Sequence, residues 1–471
     1  MRAFLFTLLF AISAQALTES DAAARLRMTL QIARERNDKA LVSQVEKLAR
    51  LFKSDLPNDA EEKLRQMESA VGIDPGGWSM AGQPLFRATE AMKAKHDEFD
   101  QKLRAAMLSD DASKVRAVTD EILVVLGDQA GLPDGRRMGR KPAGMRITEA
   151  EVTQLFLKAL ETQSRTTRSL MAAEPLPDQM MRVYGYVLQA CADIRPMVKK
   201  HQPADLPKLT KLAEGTAKIM LTLQQPSGLF PFPDLRGKNI RFGDIITRHL
   251  EAGNVEVKDG WLITADPDGG SQFDTGVCGV ALLCAGESFQ NETWKAAGTR
   301  AAEWALTQKC CANFNYNAFS VSLLAQAYRI TQEARFQSAA LHKFRVGVAP
   351  GQSPNGRWMD AHNARTVYHI IILRSMADLA AIVKNERAEV GAVARPAIKA
   401  LLDEFDAMGI TVEALPELLA LSALYPDDLR LKQATTAMAS SLIEKCTDGK
   451  NVKMGAQPNQ LAVVPAAMAQ P

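Results

Sequence analysis

Apolar residues recur at three- and four-residue spacing along most of the chain, the period of helices that bury one stripe. Leu26, Leu30 and Ala33, then Leu41, Val45, Leu48 and Leu51, lay out an antiparallel helical hairpin with its turn near residues 36–38. Further helices are expected over 60–71, 85–108 and 112–126, with outer faces that alternate Lys and Arg with Asp and Glu as solvated helices do. From residue 148 the helices become more apolar, and the spacing predicts them at about 148–173, 177–201, 205–224, 241–252, 272–287, 291–309, 314–332, 335–345, 360–384, 390–407, 413–424 and 427–446. Two short β-prone runs around Asp259-Gly260 predict an isolated hairpin over 255–264. The fold class is therefore all-α, with one small β-hairpin insertion.

The most apolar of these helices carries the densest polar chemistry. A turn at Pro354-Asn355-Gly356 leads to Trp358 and to Asp360, which has the character of an N-cap. His362, Asn363, Arg365, Tyr368 and His369 follow, and then an Ile370 to Leu373 run that covers nearly the whole circumference. On a helix starting at Asp360, His362, Arg365 and His369 fall in one stripe, extended by Met376.

Helices of this length with short connections bury their faces as a bundle, a solenoid or a closed ring of hairpins. No fixed repeat period is visible, and the loops favour the ring. Residues 224–234 (QQPSGLFPFPD) follow one helix, 269–276 (GGSQFDTG) open another, 313–317 (NFNYN) open a third, and 355–358 (NGRW) lead into the helix just described. Each is a polar, aromatic mouth at a helix junction.

This layout resembles the (α/α) toroids, the fold of many polysaccharide lyases, six-hairpin glycosidases and terpenoid cyclase-like barrels. The resemblance spans about residues 148–446 and rests on the junctions Gln224 to Phe230 and Asp274 to Leu282. It implies an (α/α) toroid-like domain with an enzyme's cleft at the mouths, although fold alone does not assign a reaction. Toroidal lyases place Asn, His, Arg and Tyr around a uronic acid, and Asn363, His362, Arg365, Tyr368 and His369 match in residue type. β-Elimination needs those roles: a group that neutralises the sugar carboxylate, a base and an acid.

A glycosidase needs two carboxylates across the cleft, for which Asp274 and Asp360 are the pair to test. Phe230, Tyr316 and Trp358 would stack on sugar faces, with Asp234, Arg236, Asn315 and Asn317 as polar contacts. The bland alternative is a buried polar network in which Arg365 bridges to Asp360 or Asp234, inside a non-catalytic helical scaffold or a glycan- or protein-binding module. An isoprenoid-type toroid lacks its Asp-rich motifs here, since the Asp427-Asp428 pair lies in a peripheral turn.

The start of the chain adds a compartment. Arg2, an apolar run over 4–12 and Ala14-Gln15-Ala16 read as a signal peptide over 1–16, so export to the periplasm or beyond is expected. Residues 17–132 then form a charged N-terminal helical domain, 133–147 a basic Gly/Pro linker and 447–471 a disordered tail. The formal charge of +3 drops to +2 without Arg2, which argues against a nucleic-acid partner and leaves a glycan or acidic polymer. No span suits a membrane helix.

The six cysteines are sparse and sit in apolar helical contexts, as buried thiols do; the vicinal Cys310-Cys311 could alternatively pair with Cys278 or Cys284, or bind metal with His342. No cofactor is expected. Asp266, Asp268 and Asp274 are the candidate ligands for a Ca²⁺ ion.

Overall fold

Antiparallel helix pairs follow one another from residue 181, and the first member of each pair packs on the first member of the next. The computed structural model describes residues 22, 26, 29, 30, 33, 38–52, 59–70, 90–132, 142, 144, 147–161, 165–238, 240–266, 268–412, 414–447 and 458–468. The expected signal-peptide segment, part of the first expected hairpin and most of the basic linker lie outside them.

Among the described residues before the linker, the helices with both ends defined are α1 (Lys39–Phe52), α2 (Ala60–Ala70), α3 (Glu90–Leu108) and α4 (Ala112–Leu126). α1 and α2 bury a small cluster of their own around Leu41, Val45 and Leu64. α3 and α4 do not share it: Phe99, Leu103, Met107, Val115 and Ile122 belong to the main core. The expected boundary near residue 132 thus does not separate two cores.

Beyond the linker come α5 (Glu149–Glu161), α6 (Arg165–Ala172), α7 (Met181–His201), α8 (Leu206–Leu223), α9 (Ile240–Glu251), α10 (Ser271–Ser288), α11 (Glu292–Thr307), α12 (Phe314–Thr331) and α13 (Ala334–Gly347). The remainder are α14 (Thr366–Ile382), α15 (Arg387–Met408), α16 (Leu415–Leu424), α17 (Leu429–Thr447), α18 (Pro458–Ala462) and α19 (Val464–Met468). α7 packs on α10, α10 on α12, α12 on α14, α14 on α16 and α16 on α18, and α18 returns to α7. α8, α11, α13, α15 and α17 each back their inner partner from outside. That is a closed (α/α) toroid, the fold expected from the loops.

Composition explains which helices are inner. α10 and α14 are apolar around most of their surface, as helices buried on all sides must be. Close approach is secured by Gly279, where an added Cβ would stand 2.6 Å from Leu323 of α12 and 2.9 Å from Ala301 of α11.

The C-terminal segment corrects the expectation of a disordered tail. α18 and α19 bury Leu461, Ala462, Val464 and Ala467, and Gln460 Oε1 accepts from the Leu415 N–H at 2.6 Å. The Gly/Pro/Gln-rich composition masked a short apolar run whose burial closes the ring.

The β insertion is larger than a lone hairpin. β2 (Val257–Lys258) and β3 (Trp261–Leu262) pair antiparallel, and β1 (Phe232–Pro233) adds to the other edge of β3 in the order β1-β3-β2. With α9 the sheet buries its own small cluster around Leu235, Phe242 and Ile246.

Candidate functional site

The inner helices run parallel, because each is followed by an outer helix that reverses the chain. Their N-terminal ends therefore meet at one face of the ring, and so do the loops singled out in the sequence. Parallel helix N-termini also gather their partial positive charge at that mouth.

At its centre lies an ion pair that the sequence did not reveal. Arg182 at the start of α7 and Asp274 in the first turn of α10 are only 2% and 1% exposed, and Arg182 Nη2 donates to Asp274 Oδ2 at 2.5 Å. Arg182 Nε and its backbone N–H both donate to Asp274 Oδ1 at 2.9 Å. The guanidinium lies over the Phe273 ring, 3.7 Å from its centroid, with Phe232 of β1 farther out at 5.9 Å. Asp274 is thereby tied up as a structural anion.

Next round the ring, Asn315 at the start of α12 joins α14's entry loop. Its backbone N–H and Nδ2 donate to Asn363 Oδ1 at 3.1 and 2.8 Å. Asn363 in turn donates through its backbone N–H and Nδ2 to Asp360 at 2.8–3.0 Å. His362 lies against Tyr368 with ring centroids 4.1 Å apart, and Tyr316 faces Phe273 at 6.4 Å. Burial, reinforced by Asp266 and Tyr368 nearby, raises the Tyr316 phenol well above its ordinary value and keeps it protonated.

The entry loop departs from the sequence reading. α14 starts at Thr366, not at Asp360, so His362 and Arg365 precede the helix and the four-residue stripe does not form. Side chains compete for the loop's backbone. Buried Arg357 donates to the carbonyls of Ala364 and Ala400 and pairs with Glu404, while Asp360 captures the Asn363 N–H. Asp360 therefore caps a turn rather than the helix, and Arg365 is the half-buried residue at the helix's N-cap.

Several expected contacts prove to be packing. Trp358 is fully buried and donates through Nε1 to the Val348 carbonyl, and Phe230 is sealed beside Thr275, so neither offers a platform to a sugar. Asn317 Nδ2 donates to the carbonyls of Cys311 and Gly347 at 2.8 and 2.7 Å, bolting the 308–313 loop to α13. His369 is buried, its Nε2–H donating to the Ala397 carbonyl at 2.8 Å, and burial followed by the Arg357 charge holds its pKa well below 6.5. Asp234 and Arg236 form a partly exposed ion pair on the rim by the sheet.

The Ca²⁺ candidates turn to different partners. Asp266 accepts from the N–H groups of Gly270 and Ser271 and from the Ser271 hydroxyl, Asp268 pairs with Arg104 of α3 and His249 of α9, and Asp274 holds Arg182. Among the described residues no group of three His, Cys, Asp or Glu is arranged to hold a metal ion. His342 pairs with Asp110 of the N-terminal helices rather than with the vicinal cysteines, which are free thiols.

A second polar layer lies midway down the ring. Arg182, Tyr186, Gln189 and Asp193 fall on one face of α7, and the last three are partly exposed on a helix that is otherwise largely buried. Arg374 of α14 pairs with Asp378 at 2.9 Å and reaches the Pro416 carbonyl of α16 at 3.4 Å. Burial raises the Cys284 thiol of α10 to about 11, and Asp193, Arg329, Arg374 and Asp378 act on it electrostatically.

The ring and its polar mouth define an (α/α) toroid protein. No family model matches the chain, and no curated protein does. Among solved structures it is similar to a family 76 glycoside hydrolase from a bovine Bacteroides thetaiotaomicron strain, at 9% identity and a TM-score of 0.47, over 69% of this chain and 78% of that one. It is also similar to cellobiose 2-epimerase from Spirochaeta thermophila DSM 6192, at 10% identity and a TM-score of 0.41, over 78% of this chain and 98% of that one. Likeness this remote assigns no residue and no reaction. No helix among the described residues is long and apolar enough to cross a membrane.

Proposed function

We propose that the chain is an exported carbohydrate-active enzyme that cleaves a uronic-acid polymer by β-elimination at the mouth of the toroid. The observation that carries this reading is the His362–Tyr368 ring contact at 4.1 Å, beside a buried, protonated Tyr316. Imidazole is the side chain best suited to take a proton near neutral pH, and the Tyr368 phenol that lies against it is of a type that can return one.

His362 takes the proton on C5 of the uronate, with Arg365 at the lip balancing the charge that builds on the sugar carboxylate. The C–H electron pair becomes the C4–C5 double bond and the C4–O4 bond breaks. Tyr368 protonates the departing oxygen. Hydrolysis suits the mouth less well, because Asp274 and Asp360 are both already engaged.

The test is a glycan panel followed at the absorbance of the unsaturated uronate and by reducing-end release. Elimination gives both signals, hydrolysis only the second and a binding module neither.

A further inference from the structure

Asn363 follows the candidate base directly in the chain, yet it offers a substrate nothing to touch. Its side-chain oxygen accepts from the Asn315 backbone N–H at 3.1 Å and from Asn315 Nδ2 at 2.8 Å, which takes both lone pairs. Its Nδ2 faces the two Asp360 carboxylate oxygens at 3.0 Å each, and its backbone N–H donates to Asp360 Oδ1 at 2.8 Å. Asn315 is anchored in turn, with Nδ2 donating to Asn313 Oδ1 at 2.7 Å where α12 begins. Asp360, Asn363 and Asn315 are each at most 1% exposed.

This chain of hydrogen bonds brackets His362. Asp360 lies two residues before it and Asn363 one after, and the turn closes through the Ala364 N–H to the Asp360 carbonyl at 3.0 Å and the Arg365 N–H to the His362 carbonyl at 3.2 Å. With its backbone fixed on both sides, the imidazole lies against Tyr368, ring centroids 4.1 Å apart. We infer that Asn363 is a positioning residue, which ties the entry loop to α12 and so holds His362 against Tyr368. An amide suits the place because it accepts on the Asn315 side and donates on the side of the Asp360 carboxylate. A carboxylate in its stead would set a second negative charge against Asp360. The catalytic meaning of the tie rests on the elimination proposed above; the tie itself rests on these hydrogen bonds alone.

The experiment records the His362 ring protons by NMR in the whole protein and in N363A, N363D and the exchange D360N/N363D, with H362A giving the assignment. Stacking on Tyr368 moves these protons upfield. The upfield position is expected in the parent, lost in N363A and N363D, and regained in the exchange, where an amide and a carboxylate again face each other. On an acidic glycan the single variants should lose about 10²-fold in kcat with little change in KM, and the exchange should recover most of it. Ring protons unmoved by N363A and N363D, or an exchange no better than N363D alone, overturn the inference. A parent that cleaves nothing while its ring protons respond as expected supports the tie and overturns the elimination. Should N363A and N363D fail to fold, the exchange and N315A carry the same comparison; N315A removes one of the two donors to Asn363, and a partial loss of the upfield position is expected there.

Discussion

Arg182 and Asp274 join α7 to α10 through a two-pronged contact, Nε to Oδ1 at 2.9 Å and Nη2 to Oδ2 at 2.5 Å, in a place where neither charge meets solvent. Removing one partner leaves the other charge buried and alone. Asp274→Ala is expected to cost about 3–5 kcal/mol in urea unfolding, and the double replacement Arg182→Met with Asp274→Leu to recover much of it. A loss below 1 kcal/mol for Asp274→Ala contradicts the pair's place in the fold.

Two buried groups give the stability opposite slopes with pH. His369 is held neutral well below its ordinary 6.5, so the unfolded chain takes up a proton there that the folded chain refuses. Its contribution is complete above pH 6.5 and is lost as pH falls below it, at about 1.4 kcal/mol per unit. Asp193 runs the other way, since burial raises its carboxyl from 3.8 to about 6 and ionisation between those values costs stability. His369→Gln should flatten the fall below pH 6.5. Asp193→Asn should be more stable than the parent above pH 6, by about 1–3 kcal/mol, and equal to it below pH 4. Urea midpoints from pH 4 to 7 read both.

The ring closes through α18. A chain ending at residue 447 loses the apolar burial of Leu461, Ala462 and Val464 and the Gln460 to Leu415 hydrogen bond. Its thermal midpoint should drop by several degrees, about 2–4 °C for each kcal/mol lost. An unchanged midpoint shows that α7 and α16 close the ring without it.

How much of this was legible in the sequence differs between elements. The helices of the second half were, because their apolar period is unbroken, and the loops that open α10, α12 and α14 do meet at one mouth. Two things hid the rest. Residues 360–365 are expected as helix but form a turn because the Arg357 and Asp360 side chains bond to the backbone there, and no periodicity records that. Arg182, Tyr186, Gln189 and Asp193 mark out one helical face, and polar residues at that spacing on a largely buried helix are a readable sign of a polar interior. Trp358, Phe230 and Asn317 misled in the other direction, since aromatic and amide residues near Pro and Gly turns anchor loops as readily as they bind ligands.

Proton transfer at the His362–Tyr368 contact is open to one direct measurement. Purified protein and its His362→Ala and Tyr368→Phe variants are incubated with acidic glycans while the unsaturated-uronate absorbance and reducing ends are recorded together. Both signals should rise in step for the parent and fall by about 10²–10⁴-fold in each variant, the usual worth of a positioned proton-transfer group. Reducing ends released without absorbance, or either variant as active as the parent, contradicts it.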